Sequence, residues 1–179
     1  SKIYKQSLFF LLQMNSHKWG FIKFSVLHWI GNFDLTPLQH PSIVFVFTPV
    51  NEFKKFNAVE ADALEYLSSS EAFSEHFDVV NIDPPGLIKS KKDYFAGYKH
   101  YVKINESALR LLKSGGIFST SSCSHHLSFA DLKKMIYEAC SRAKKKAVFL
   151  EFGSQAKDHP ILVSMPETEY LKFAILKII

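Results

Sequence analysis

The stretch Phe77-Asp78-Val79-Val80-Asn81-Ile82-Asp83-Pro84-Pro85 decides the fold. Its apolar part, Phe77 to Ile82, is short and rich in valine and isoleucine, which is typical of a strand buried on both faces. An acid and two prolines follow directly, and prolines stiffen the turn that presents the acid. In open α/β sheets ligands bind beyond the carboxyl ends of strands, so Asp83 is predicted to face a binding crevice. The alternative is that Asp83 is a solvent-exposed acid without a function, next to prolines that end the strand.

The sequence around this stretch alternates short apolar runs with amphipathic segments from about Phe56 onward, as a parallel sheet with crossover helices requires. A helical stripe runs from Tyr101 to Leu112 and is predicted to end at Ser114-Gly115-Gly116. A second helix is predicted to begin at Ser128 and Asp131, which have capping spacing. The other predicted strands are Phe56–Glu60, Gly116–Thr120, Ala147–Phe152 and Tyr170–Ile179.

A second candidate site, Ser119-Thr120-Ser121-Ser122-Cys123-Ser124-His125-His126, again lies where an apolar strand ends before a helix. Cys123 is a candidate nucleophile there, because a helix N-terminus, His125 or His126 could lower the pKa of its thiol. A buried, inert cysteine is the alternative, and it is the role we assign to Cys140. We expect no metal site, since the spacing of Cys123, His125 and His126 matches no common zinc pattern.

Length and composition fit one soluble domain, with 179 residues, 47% of them hydrophobic, and a formal net charge of +5. Two cysteines exclude a disulfide-rich secreted scaffold and favour a reducing compartment, so we expect a cytoplasmic protein.

The apolar run Leu8 to Leu12 is too short to cross a membrane, and no clean signal-peptide cleavage site follows it. The basic excess lies in residues 1–56, which permits nucleic-acid contact, although a solvated basic face is the simpler explanation.

Taken together, these residues resemble the catalytic domain of the class I S-adenosylmethionine-dependent methyltransferases, and within them the ribosomal RNA large-subunit cytosine-5 methyltransferase group. The resemblance implies a Rossmann-like α/β fold with a mostly parallel sheet, helices on both faces and an antiparallel C-terminal strand. The matching stretches, in the family's order, are Val59–Ala63, Phe77–Pro85, Gly97–Lys99, Asn105–Gly116, Ser121–Ser124, Gln155–Pro160 and Pro166–Lys172.

The resemblance also implies a function, which is methylation of cytosine carbon-5 in 23S ribosomal RNA with S-adenosylmethionine (SAM) as cofactor and RNA as partner. Cys123 would be the nucleophile that adds to the ring, and Asp83 would protonate the ring during that addition. The implied cofactor-binding residues are Asp62, Asp83 and Pro84, and the implied substrate-binding residues are Pro85, Lys99, Asp158 and His159.

Residues 1–55 depart from the family pattern, in which a glycine-rich turn follows the first strand and an acid ends the second. Gly20 and Gly31 are far apart, and the strand-like run Ser42 to Val50 has only Glu52 near its tip. We therefore predict a divergent or degenerate N-terminal part at 1–55, truncated or frameshifted, and a methyltransferase core at 56–179. Donor affinity is then expected to be lost or reduced.

Two alternatives stay open from the sequence. One is an inactive methyltransferase remnant or an RNA-binding module without donor binding. The other is a methyltransferase that alkylates an exocyclic amine or a protein side chain, for which Cys123 would be dispensable. The sequence predicts neither the target nucleotide nor the oligomeric state.

Overall fold

The computed structural model describes residues 8–12, 43–47, 56–60, 62–69 and 77–179. Short 3-10 turns lie at Lys91–Asp93 and Pro166–Thr168. The described helices are α1 (Ala63–Ser69), α2 (Tyr94–Arg110) and α3 (Phe129–Ala143). The described strands are β1 (Leu8–Leu12), β2 (Ile43–Phe47), β3 (Phe56–Glu60), β4 (Phe77–Asp83), β5 (Leu112–Ser122), β6 (Ala147–Ser154) and β7 (Lys172–Ile178).

These strands form one sheet in the order β3-β2-β1-β4-β5-β7-β6. β4 and β5 are parallel, and β7 runs antiparallel between β5 and β6. β1 and β2 are parallel to each other, but β1 is antiparallel to β4 and β2 is antiparallel to β3. The Rossmann-like α/β class and the antiparallel C-terminal strand are therefore confirmed, while the sheet is mixed rather than mostly parallel.

Connection length explains part of this mixed character. Only residues 48–55 separate β2 from β3, and a crossover between parallel neighbours needs a dozen residues or more. The two strands accordingly pair antiparallel. The direction of β1 depends on partners that are distant in sequence, so no local signal could have predicted it.

The described helices lie in a single layer, with α2 in contact with α1, α3, β4 and β5. Burial alternates along the sheet, and β5 turns Phe118, Thr120 and Ser122 inward, which is the period of two that a strand imposes. The helices predicted for the opposite face fall outside the described residues. Of the described helices, none is long and apolar enough to cross a membrane.

The predicted start of α3 is confirmed by a capping box. The Asp131 amide donates to Ser128 Oγ at 3.1 Å, and the Ser128 amide donates back to Asp131 Oδ2 at 3.0 Å, so two orphan donors of the helix end are satisfied. The buried residues of this helix recur at helical spacing along one face: Leu132, Met135, Ile136, Ala139 and Ala143. Cys140 packs against the core in the role assigned to it.

The predicted end of the preceding helix at Ser114-Gly115-Gly116 is wrong. α2 ends at Arg110, and the two glycines lie within β5, where the register with β4 shifts between Phe77 and Val79. Gly115 has a φ of +81°, which glycine adopts without strain. The glycine pair therefore makes a bulge in the strand rather than a helix stop.

β1 is a strand that sequence reasoning missed, because only Ser42 to Val50 was recognised as a strand within residues 1–55. β2 lies inside that predicted run, whereas β1 coincides with the short apolar run Leu8–Leu12, for which the sequence predicts no strand. Five apolar residues without alternation do not distinguish a buried strand from a buried helical segment.

Candidate active site

The carboxyl ends of β4 and β5 carry the two predicted reactive residues to one edge of the sheet. Asp83 is the last residue of β4, and Cys123 directly follows β5. The strands are parallel, so both ends point to the same edge, as predicted. Ser121 Oγ donates a hydrogen bond to Asp83 Oδ1. Two residues earlier on both strands, Ser119 Oγ donates a hydrogen bond to Asn81 Oδ1.

A buried hydroxyl network joins the loop after β4 to the loop after β5. Tyr101 of α2, which has no exposed surface, accepts from Ser122 Oγ at 2.9 Å and shares a 2.9 Å hydrogen bond with Ser124 Oγ. Its hydroxyl also lies 3.3 Å from the Pro85 carbonyl oxygen and from the Leu87 amide nitrogen. Residues on both sides of Cys123 are thus fixed to the Asp83-Pro84-Pro85 turn.

Ser124 extends this network, since its Oγ accepts a 3.1 Å hydrogen bond from the Ile88 amide. Gly86 lies close by, because a β-carbon placed on it would be 3.6 Å from Cys123 Sγ. The thiol therefore sits between two loops that side chains from α2 and β5 lock together.

Burial raises the pKa of the Asp83 carboxyl, and the hydrogen bond from Ser121 offsets part of that rise. Burial also raises the pKa of the Cys123 thiol, and the nearby Asp83 carboxylate raises it further. The backbone amides of Cys123 and Gly86 act in the opposite direction, as does Lys172. A carboxyl that keeps its proton is suited to act as an acid, and it would no longer repel a thiolate.

The three residues predicted to contact the cofactor lie at this same edge. Glu60 of β3 pairs with Ile43, Ile43 pairs with Leu8, and Leu8 pairs with Asp83 of β4. The ends of β3 and β4 therefore lie in one row across the sheet, about 14 Å apart, which is three strand spacings. Asp62 follows β3, and its Oδ1 accepts from the Leu64 and Glu65 amides at 3.0 Å, which caps α1. Pro84 is buried beside Asp83.

The predicted substrate-side residues divide into two groups. Pro85 belongs to the loop network described above, whereas Lys99, Asp158 and His159 are exposed. Lys99 precedes Tyr101 by two residues on α2, so it lies on a different face of the helix. Asp158 and His159 pair with each other at 3.1 Å in the loop between β6 and β7. Their roles stay predictions.

Two residues that sequence reasoning did not assign to the site belong to it. The sequence predicts Tyr101 only as part of an apolar stripe, although a buried tyrosine hydroxyl usually finds a hydrogen-bond partner. Lys172 was noted only as part of a matching stretch. Its signal was available, because it shares the two-residue period of Ala174, Leu176 and Ile178 on a buried face.

A metal centre finds no support in the described ranges, where no group of three or more histidine, cysteine or acidic side chains could hold an ion. In the same ranges, the buried amide nitrogen of Asn81 has no hydrogen-bond partner. It lies two residues before Asp83 on β4 and so shares a face with it. A donor group is thus free to meet a ligand at this edge.

The fold is similar to that of solved methyltransferase structures. A methyltransferase structure complexed with SAH superimposes with a TM-score of 0.55 at 24% identity, over 66% of this chain and 30% of that one. A protein from Streptococcus mutans assigned to the SAM-dependent methyltransferases gives a TM-score of 0.54 at 23% identity, over the same shares.

Sequence comparison points to ribosomal RNA methyltransferases. The chain is 34% identical over 121 residues to ribosomal RNA large subunit methyltransferase I of Salmonella paratyphi B, covering 68% of this chain and 30% of that one. It is 33% identical over 118 residues to a Methanocaldococcus jannaschii protein assigned as a ribosomal RNA large subunit methyltransferase, at 66% and 30% coverage. No protein family model matches the chain. The chain spans about 30% of the length of these relatives.

Proposed function

We propose that this chain is the catalytic part of a SAM-dependent methyltransferase that modifies carbon-5 of a cytosine in large-subunit ribosomal RNA. The observation that carries the proposal is the meeting of Asp83 and Cys123 at one sheet edge, in loops joined through Tyr101. The names of the similar proteins support ribosomal RNA as the substrate class. The SAH of the structural neighbour supports SAM as the methyl donor.

Cysteine chemistry explains why this reaction needs a thiol. Carbon-5 of cytosine is a poor nucleophile, and addition of the Cys123 thiolate to carbon-6 turns the ring into an enamine-like nucleophile. The sulfur electron pair forms the S–C6 bond, the C5–C6 double bond opens, and ring nitrogen N3 takes a proton from the Asp83 carboxyl. Carbon-5 would then bond to the methyl group while the donor sulfur keeps the electron pair of the broken S–CH3 bond. Water would take the carbon-5 proton, N3 would return its proton to Asp83, and the Cys123 sulfur would leave with the S–C6 electron pair, which restores the C5–C6 double bond.

The protonation states of Asp83 and Cys123 decide whether the thiolate can add to carbon-6. A charged Asp83 raises the pKa of Cys123, so the protonation of the carboxyl affects the thiol. The productive arrangement is a protonated Asp83 beside a Cys123 thiolate. Burial raises the pKa of Asp83, which favours its protonated form. Burial also raises the pKa of Cys123, so the thiolate depends on the groups that lower that pKa, namely the amides of Cys123 and Gly86 and the Lys172 ammonium.

Residues at the edge would also hold the donor. When bound, SAM supplies an electrophilic methyl group on its sulfonium. Asp62 and Asp83 would offer carboxyl oxygens at the two ends of the row described above, Pro84 would lie next to Asp83, and the unpartnered amide of Asn81 could donate to an acceptor. These four residues fit a polar, hydroxyl-bearing ligand.

RNA would approach from the exposed side of the same edge. A base must leave its stack to reach a thiol that lies between two loops. Pro85, Lys99, Asp158 and His159 are our proposed contacts, since the charged members of the set are exposed and a lysine can pair with phosphate.

The direction of β1 favours a second candidate function, an RNA-binding module without donor binding. Leu12, at the carboxyl end of β1, pairs with Val79, whereas Leu8 pairs with Asp83. The carboxyl end of β1 therefore points away from the edge that carries Asp83. In the family a glycine-rich turn follows the first strand, and a turn placed after β1 would not lie beside Asp83.

Calorimetric titration of the full chain with SAM distinguishes the two candidates. The methyltransferase proposal predicts micromolar binding that weakens when Asp62 or Asp83 is changed to Asn, with exposed Glu167→Gln as the matched control. Filter binding of large-subunit ribosomal RNA, with and without SAM, tests the second candidate. RNA binding without any heat of SAM binding would favour the donor-free module.

A further inference from the structure

Lys172 occupies an unusual place for a lysine. It begins β7, where it pairs with Ser122 of β5 and Ser154 of β6. The residue is only 6% exposed, and it shares its face of the strand with Ala174, Leu176 and Ile178, all buried. Lysine is almost never buried to this extent unless its charge is paired, because desolvation of an ammonium is costly.

The contacts of this ammonium lead to the cysteine loop. Lys172 Nζ donates a 2.9 Å hydrogen bond to the carbonyl oxygen of Ser124, the residue after Cys123. An ammonium has three N–H donors, so the carbonyl uses one of them. Burial lowers the pKa of Lys172, while Cys123 and Glu169, as anions, raise it.

The charged and titratable groups around Cys123 act in opposite directions on its thiol. The Asp83 carboxylate on β4 disfavours the thiolate, and Lys172 on β7 favours it, together with the amides of Cys123 and Gly86. Tyr101 of α2 also interacts electrostatically with the sulfur. Among the described side chains that act electrostatically on the sulfur, Lys172 carries the positive charge, and a single substitution can remove it.

We propose that Lys172 is a positioning residue that stabilises the Cys123 thiolate relative to the thiol and fixes the carbonyl of the next residue, Ser124. This inference rests on the proposed role of Cys123 as the nucleophile. The ammonium keeps its proton throughout. When the sulfur electron pair forms the bond to carbon-6 and Asp83 gives its proton to N3, the charge that Lys172 stabilises moves off the sulfur, and it returns when the sulfur leaves.

The rate of thiol alkylation by iodoacetamide, measured against pH, reports this effect without RNA or SAM. The full chain with Cys140→Ser leaves Cys123 as the single cysteine. In that background Lys172→Gln should raise the midpoint of thiolate formation by about one pH unit, and Lys172→Arg should largely restore it. Lys177→Gln, at an exposed position of the same strand, should leave the midpoint unchanged.

A second measurement avoids any folding defect caused by the loss of Lys172. The thiolate and the ammonium stabilise each other, so Cys123→Ser should lower the pH midpoint at which Lys172 loses its proton. Nitrogen-15 NMR of the lysine side chain measures this midpoint. An unmoved thiol midpoint in a folded Lys172→Gln protein, or an unmoved lysine midpoint in Cys123→Ser, overturns the inference. A shifted thiol midpoint in a protein that transfers no methyl group overturns the proposed function alone.

Discussion

Tyr101 and Ser124 share a buried hydrogen bond of 2.9 Å between their hydroxyl oxygens, and this contact ties the helix α2 to the loop that carries Cys123. The same tyrosine hydroxyl contacts Ser122 Oγ, the Pro85 carbonyl and the Leu87 amide. One hydroxyl group therefore sets the position of the thiol relative to the Asp83-Pro84-Pro85 turn.

Tyr101→Phe should destabilise the protein by about 1–3 kcal/mol, because it leaves buried hydroxyl and backbone groups without their partner. Urea unfolding at neutral pH measures the change. Tyr137→Phe removes a hydroxyl from a tyrosine of α3 that is 62% exposed, and it should have almost no effect. Equal losses from the two variants would contradict a special role for the network.

Asp83→Asn should flatten the dependence of stability on pH. Burial raises the pKa of Asp83 in the folded protein, so the folded state binds more protons than the unfolded state between the two pKa values. Stability therefore falls as pH rises through that interval and stays lower above it. Asparagine cannot ionise, so the variant should lose less stability than the wild type as pH rises above about 4, the ordinary pKa of an aspartate.

Urea midpoints at several pH values compare the two proteins, with exposed Glu167→Gln expected to follow the wild type. Parallel pH profiles for wild type and Asp83→Asn would mean that the carboxyl has an ordinary pKa. An acid role for Asp83 would then lose its electrostatic support.

Gly97→Ala should destabilise the protein, although alanine is the better helix former by up to about 1 kcal/mol. A β-carbon at Gly97 would lie 2.6 Å from the Leu87 carbonyl oxygen and 2.6 Å from an Ile88 side-chain carbon. The close approach of α2 to the loop after β4 therefore requires glycine. His100→Ala, on the exposed side of the same helix, is the control, and a thermal midpoint raised by Gly97→Ala would contradict the close packing.

The sequence predicts the edge of the site well because that edge follows from local patterns. Asp83 and Cys123 each come directly after an apolar strand, and two parallel strands end at one edge. The capping box of Ser128 and Asp131 is equally local. Position along the chain and strand period suffice for each of these features.

What the sequence could not show depends on tertiary context. The reversed direction of β1 depends on its pairing with β4, about seventy residues away in sequence. Gly115 makes a bulge instead of a helix end because β5 pairs with β4 on both sides of it. Lys172 shares the period of a buried face in the sequence, but its contact with the loop of Cys123 follows only from the placement of β7 next to β5.

Methyl transfer from tritiated SAM to large-subunit ribosomal RNA, followed by nucleoside analysis, tests the central claim most directly. The account predicts 5-methylcytidine from the wild type and from Cys140→Ala, and a loss of product on the order of 10³-fold or more in Cys123→Ala. A methylated exocyclic amine, or 5-methylcytidine formed equally well by Cys123→Ala, would contradict the proposed nucleophile. The absence of any methyl transfer from the wild type would contradict the proposed activity itself.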